Sequence, residues 1–323
     1  MEPTLRCSPE LLRKDLSGKT YIVTGANSGI GLATTAQLAS QGAHVIACCR
    51  RLTAAEDALR DLQGSIEIAE LDLGRLTSVR KFSAGFLATD KPVHGLVNNA
   101  GVMHCGEGKT EDGFETQMGV NHLGHFLLTE LLLERLKSSA PARIVCVSSV
   151  LHVGDKKQVG TIDIKDLNFE SRYYDKTQAY SQAKLANVLH AAELARRLEG
   201  SGVSAFSVHP GWVRSNLAQH VMPVWIQNVV MRPFGGLIGL MGPEDGAQTT
   251  LHCLLDDGAP ANSGAYYSQN SIWYPKKEHR TGGWPMTSPN PNAHDAELAA
   301  ALYDKSLDLV GQIPDVLEKQ IEQ

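Results

Sequence analysis

The sequence predicts an α/β fold: one doubly wound parallel sheet of about seven strands, with helices on both faces. Three observations lead there. Short β-rich runs alternate with longer windows of helical periodicity, the order expected of βαβ units. Apart from one interruption, the alternation continues from about residue 18 to residue 310, which favours one domain over two. A glycine-rich turn, Thr24-Gly25-Ala26-Asn27-Ser28-Gly29-Ile30-Gly31, joins the first strand to the first helix.

Taken in order, strands are expected at Thr20–Thr24, His44–Cys48, Ile66–Leu71, Gly95–Asn98, Arg143–Ser148 and Val203–His209, with a short seventh at Ala265–Ser268. Helices are expected between them at Ile30–Ser40, Ala54–Leu62, Leu76–Leu87, Gly113–Leu136 and Gln178–Leu198, and a last one at Asp295–Leu309. Residues 1–17 and 311–323 read as tails. The stretch from Gly211 to Gly246 interrupts the rhythm: it is apolar and punctuated by Pro223, Pro233 and Pro243. Ligands of open α/β sheets sit beyond the carboxyl ends of strands, so a long loop after the sixth strand is expected to be a substrate lid over about 212–246. A packing excursion over the core is the alternative. Met222, Trp225, Met231 and Met241 read as core or pocket wall rather than a protein-binding stripe.

Composition narrows the function. A net charge of −5 gives no basic field for nucleic acid or an anionic membrane. The six cysteines form no CxxC pair, as in a reducing compartment. Met1–Lys19 lacks an apolar core, and Val224–Leu240 is too short and too interrupted to span a bilayer. A cytoplasmic chain is therefore expected, with no membrane span. Peripheral membrane contact through 217–241 and a homo-oligomer both stay open.

The chemistry is concentrated in a few motifs. The glycines of the first turn, Gly25 and Gly29, let backbone approach a pyrophosphate, and the helix that opens at Ile30 aims its N–H groups at it. The second strand ends in Arg50-Arg51, where a site for NAD(H) would carry an acid; guanidinium there suits the 2′-phosphate of NADP(H). Asp72-Leu73 follows the third strand, where a carboxylate could accept from the adenine amino group, and Asn98-Asn99-Ala100-Gly101 ends the fourth. Tyr180 and Lys184 are one helical turn apart and share a face. An ammonium there, with a positive nicotinamide ring, would favour the phenolate and bring a group of ordinary pKa near 10 towards acid–base work. The fifth strand ends in Ser148-Ser149, and a hydroxyl near the tyrosine could polarise a substrate carbonyl. His122 and His125 could face together, but no third ligand stands at zinc spacing. Cys105 and Cys253 lack the flanking basic cluster of reactive thiols.

Together these residues resemble the short-chain dehydrogenase/reductase family over about Gly18 to Gly264. The likeness runs through the glycine turn, Asn98–Gly101, Asn121 in Val120-Asn121-His122, the paired serines, Tyr180 with Lys184, and Pro210-Gly211-Trp212-Val213. It implies a Rossmann-type oxidoreductase in which Tyr180 donates or accepts the proton. Lys184 would bind the nicotinamide ribose and depress the Tyr180 pKa, Ser149 rather than Ser148 would orient the substrate oxygen, and Asn121 would hold a water leading from Lys184 to solvent. It also implies cofactor contacts at Gly25, Asn27, Ser28, Gly29, Ile30, Arg50, Asp72, Leu73, Asn99, Ala100, Gly101, Pro210, Gly211, Val213 and Ser215. Tyr180 lies 31 residues after Ser149, a longer interval than in compact members, and the insert from His152 to Lys176 is polar. A similar insert marks the retinol-dehydrogenase-like branch, which this chain resembles again at Leu185–Leu189 and Glu244–Thr249. The expected substrate is an apolar carbonyl or alcohol, lipid-like or retinoid. The segment from Ser271 to Asn292 is longer than the family leads one to expect. A broad reductase of small carbonyls and a silent NADPH-binding sensor are the alternatives on the same fold.

Overall fold

The computed structural model describes residues 3–154, 158–213 and 240–311. Its centre is an eight-stranded sheet in the order β10-β9-β6-β5-β4-β1-β2-β3. The strands are β1 (Thr20–Thr24), β2 (His44–Cys49), β3 (Ser65–Glu70), β4 (Gly95–Asn98), β5 (Ala142–Val147), β6 (Val203–His209), β9 (Tyr266–Ser268) and β10 (Gly283–Met286). All paired strands run parallel except β10, which is antiparallel to β9. A separate parallel pair joins β7 (Trp212–Val213) to β8 (Leu240–Met241).

Strand residues alternate between two apolar layers, because successive side chains leave a strand on opposite faces. Ile22, Ile46, Leu96, Ile144 and Ala205 enter one core, with helices α3 (Leu76–Leu87), α5 (Gly124–Ser138), α6 (Lys176–Arg197) and α8 (Ala296–Gly311). Tyr21, Val23, Val45, Val97, Val145 and Phe206 enter the other, with α1 (Gly29–Ser40), α2 (Leu52–Leu59) and α7 (Pro243–Leu255). Burial on both faces requires apolar residues at nearly every strand position, which is why periodicity alone located these runs.

Local chemistry sets the ends of the helices. The Asp175 carboxylate caps α6 by accepting from the N–H groups of Thr177 and Gln178, and Arg196 and Arg197 sit in its last turn. After α1 the chain turns through Gly42 at φ +90°, a conformation that glycine adopts without a Cβ penalty.

Three features differ from the sequence expectation. The helix expected at Gly113–Leu136 is broken into α4 (Thr116–Met118), a π-turn at Gly119–Leu123 and α5. Helix α7 falls where the lid was expected to end; Pro243 at its start and Glu244 and Asp245 in its first turn are ordinary helix-opening signals. The eighth strand, β10, contains Pro285, which only an edge strand tolerates.

The N-terminal stretch is docked rather than free. Leu5 exchanges backbone hydrogen bonds with the Gln269 side chain, Cys7 donates its N–H to Gln248 at 3.0 Å, and Cys7 and Leu16 are buried. The expected lid is largely residues 214–239, outside the described residues.

Candidate active site

Parallel pairing brings the carboxyl ends of β1, β4, β5 and β6 to one edge, so the loops that follow them meet there. The turn after β1 is tight: Gly25 has φ +65° and donates its N–H to the Cys48 carbonyl at 2.8 Å. A Cβ on Gly31 would lie 2.3 Å from the Gly25 carbonyl oxygen. Ser28 precedes α1 without a side-chain cap, and no acid occupies the first turn, so N–H groups of that turn are left for an anion. Asn27 and Ile30 are half-buried on the same turn.

The loop after β4 is fastened to β1. Thr24 Oγ1 accepts from the N–H groups of Asn99 and Ala100, each at 2.9 Å, and Asn99 Nδ2 donates to the Thr24 carbonyl at 2.7 Å. Gly101 follows, where a Cβ would come 2.9 Å from Asn121 Oδ1 and 3.6 Å from Lys184 Nζ. Asp72 bonds within its own turn, accepting from the Gly74 N–H at 3.0 Å, and Leu73 is buried. Arg50 is exposed at the end of β2 and has no ion-pair partner among the described residues. Its neighbour Cys49 faces the N–H groups of Ala26 and Asn27, so β2 ends beside the glycine turn. On the far side Pro210 is buried, Gly211 has φ +89°, and Val213 packs at α7, where a Cβ on Gly246 would meet both Val213 and Ile30. Ser215 lies outside the described residues.

Four polar side chains converge at this edge. Tyr180 and Lys184 are both buried on α6, with Lys184 Nζ 5.7 Å from the Tyr180 ring centre. Burial pushes the Tyr180 phenol up, and a hydrogen bond from Ser149 opposes that. Burial brings Lys184 down to about 8, with a smaller opposing effect from the neighbouring Cys146 thiol. Lys184 Nζ donates to the Val147 carbonyl at 2.9 Å. Asn121 sits in the π-turn, its side chain clamped to the Val102 backbone at 2.8 and 2.9 Å; such turns often mark functional sites. Ser148, by contrast, turns away and donates to the Lys184 carbonyl at 2.7 Å.

Three buried histidines that the motifs did not single out as part of the site, His125, His152 and His209, line its support. His125 Nδ1 meets the Asn121 carbonyl at 3.1 Å and its Nε2 meets Thr24 Oγ1 at 2.8 Å. A carbonyl can only accept, so Nδ1 carries the proton and the Thr24 hydroxyl donates to Nε2. This ties the π-turn to the glycine turn. The spacing of His125, one helical turn after Asn121, was the available signal. His122 bonds Ser306 on α8 instead, at 2.9 Å. His152 and His209 flank Ser149. Among the described residues no cluster of His, Cys, Asp or Glu is placed to hold a metal, and no helix is long and apolar enough to cross a membrane.

The short chain dehydrogenase family matches residues 19–161. The chain is 44% identical over 301 residues to retinol dehydrogenase 12 of Homo sapiens, covering 92% of this chain and 87% of that protein. It is 40% identical over 314 residues to retinol dehydrogenase 13 of Homo sapiens, covering 95% and 89%. A solved structure of an uncharacterised protein from Mycobacterium Paratuberculosis superposes with a TM-score of 0.73 at 37% identity, covering 92% of this chain and 95% of that one.

Proposed function

The chain belongs to the short-chain dehydrogenase family, in its retinol-dehydrogenase-like branch, and on that premise we propose that this oxidoreductase reduces a retinoid or similarly apolar aldehyde with NADPH. The convergence of Tyr180, Ser149 and Lys184 beside an uncapped glycine turn carries the reading.

The turn fits a dinucleotide: it leaves α1 N–H groups open and no Cβ fills the approach at Gly31. Gly25, Asn27, Ser28, Gly29 and Ile30 would hold the pyrophosphate; Asp72, Leu73, Asn99, Ala100 and Gly101 would line the adenosine and ribose; Pro210, Gly211, Val213 and Ser215 would hold the nicotinamide end. When bound, the cofactor supplies the hydride. Arg50, exposed and without an ion-pair partner among the described residues, favours NADP(H), since a guanidinium takes a phosphate dianion in charge-assisted bonds.

The chain's own residues manage the proton. With burial holding its pKa up, Tyr180 keeps its proton at neutral pH and delivers it from the phenol oxygen to the carbonyl oxygen of the substrate. Ser149 shares that oxygen and orients it. Lys184, charged below about pH 8, binds the ribose and stabilises the phenolate left behind. Asn121 holds the return path for a proton towards Lys184. For the substrate, the relatives named retinol dehydrogenases support a retinoid or similar apolar class, and Trp212 and Met241 supply apolar surface beside Gly211.

The test follows cofactor absorbance with NADPH and with NADH, offering retinal, long-chain aldehydes, and small ketones or quinones. The expected result is turnover of retinal or long aldehydes with NADPH, abolished by Tyr180→Phe. Equal rates with NADH would remove the cofactor preference, and better turnover of small ketones would remove the apolar substrate.

A further inference from the structure

Ser149 is held by its backbone as well as by its side chain. Its Oγ accepts from the Leu151 N–H at 3.2 Å, capping the short 3₁₀ turn Val150–Val153. His152 lies on that turn and folds its ring back, so that Nδ1 is 2.6 Å from the Ser149 carbonyl oxygen. The other ring nitrogen, Nε2, is 2.6 Å from Ser288 Oγ. The next N–H, that of Val150, donates to His209 Nδ1 at 3.1 Å.

The protons on this chain of bonds have one consistent arrangement. The Ser149 carbonyl accepts, so His152 Nδ1 carries a hydrogen. The ring is fully buried and neutral, its pKa brought down to about 4 by burial. Nε2 therefore offers a lone pair, and the Ser288 hydroxyl donates to it. Ser288 is itself fixed: its Oγ accepts from the Asn290 N–H at 3.2 Å and its carbonyl meets His294 Nε2 at 2.8 Å. Asn290 Nδ2 closes the arrangement by donating to the carbonyls of His152 at 2.6 Å and Gly160 at 3.0 Å. The two stretches that lengthen this chain, the insert after Ser149 and the segment from 271 to 292, thus meet at the peptide that carries the serine.

We propose that His152, locked by Ser288, is a positioning residue that sets the orientation of Ser149 towards Tyr180. This rests on the reading that Ser149 orients the substrate oxygen. A peptide whose carbonyl is held from behind cannot swing, so the serine hydroxyl keeps its place when substrate enters.

The experiment combines kinetics of retinal reduction by NADPH, NADPH binding by fluorescence, and ¹⁵N NMR of the histidine-labelled full chain. His152→Ala is expected to lower kcat about tenfold, the scale of one lost hydrogen bond, and to leave the NADPH dissociation constant unchanged. His152→Asn, which keeps an N–H near the Nδ1 position, recovers most of the rate, and Ser288→Ala falls between. In a Ser149→Ala background, His152→Ala costs nothing further, because the group it positions is gone. The spectrum shows His152 protonated at Nδ1. The same loss in both backgrounds, or weakened NADPH binding, would mean a general structural role and overturn the proposal, as would an Nε2-protonated ring. If His152→Ala fails to fold, His152→Asn, Ser288→Ala and the spectrum decide. A Ser149→Ala variant with undiminished kcat would remove the role of Ser149 itself. A slow Ser149→Ala beside a wild-type rate in His152→Ala and Ser288→Ala would remove only the inference.

Discussion

Lys184 and Tyr180 are displaced in opposite directions by the same burial. Both changes favour the uncharged form, since a low-dielectric surrounding penalises charge. The tyrosine stays protonated far above neutrality, so in the proposed carbonyl reduction the limiting titration is that of the lysine, at about 8. Catalytic efficiency, kcat/KM, is expected to be level below that pH and to fall as pH rises through it, because only the ammonium stabilises the phenolate. Lys184→Arg should move that limb to higher pH; a flat profile between pH 7 and 9.5 would contradict the assignment. Arg50 makes a second residue-scale prediction. Arg50→Ser should weaken NADPH binding about tenfold to a hundredfold, the range of a charge-assisted bond, and barely change NADH. Titration of cofactor fluorescence measures both.

At the scale of elements, backbone proximity controls the cofactor turn. Gly31→Ala places a Cβ 2.3 Å from the Gly25 carbonyl oxygen, and backbone cannot yield as a side-chain tip can. NADPH binding is expected to drop more than about tenfold, beyond the usual propensity gain of Gly to Ala. Gly85→Ala, on α3 with open space around it, is the control and should stabilise by about 0.5–1 kcal/mol. The same scale shows what the sequence could convey. Thr20–Thr24, Gly95–Asn98, Val203–His209 and Leu76–Leu87 were legible to the residue, since burial on both faces or one stripe leaves a strict apolar pattern. Strand β10 was not, because Trp284-Pro285 looks like a turn until a sheet edge is there to receive it. The π-turn was hidden for a related reason: an extra residue in a helix leaves no mark on composition. Tyr180, Lys184, Ser149 and Asn121 stood in motifs. His152, His125 and Ser288 did not, since their bonds span 136 residues in one case and 101 in another.

Across the whole molecule, the buried histidines set a limit on acid stability. Burial lowers His122 and His152 to about 4, and His125 and His209 to about 3, against an ordinary value of 6.5. Below pH 6.5 the unfolded chain gains protons that the folded chain refuses, so stability present above that pH is lost as pH falls towards 4. At pH 5 each such ring costs on the order of 2 kcal/mol, and several together approach the total stability of a typical domain. Urea midpoints are expected to drop steeply between pH 6.5 and 5; a constant midpoint would show that these rings are charged in the fold.

The docked N-terminal stretch has a practical corollary. Leu5 is bound to Gln269, and Gln269 lies against Gly211, on the loop that follows β6. Whatever is fused ahead of residue 3, whether a purification tag, a fluorescent reporter or a surface tether, starts out near the loop proposed to hold the nicotinamide end of the cofactor. On that reading, a carrier attached there would turn the proposed site towards its own support, and would hinder a large substrate more than a small one.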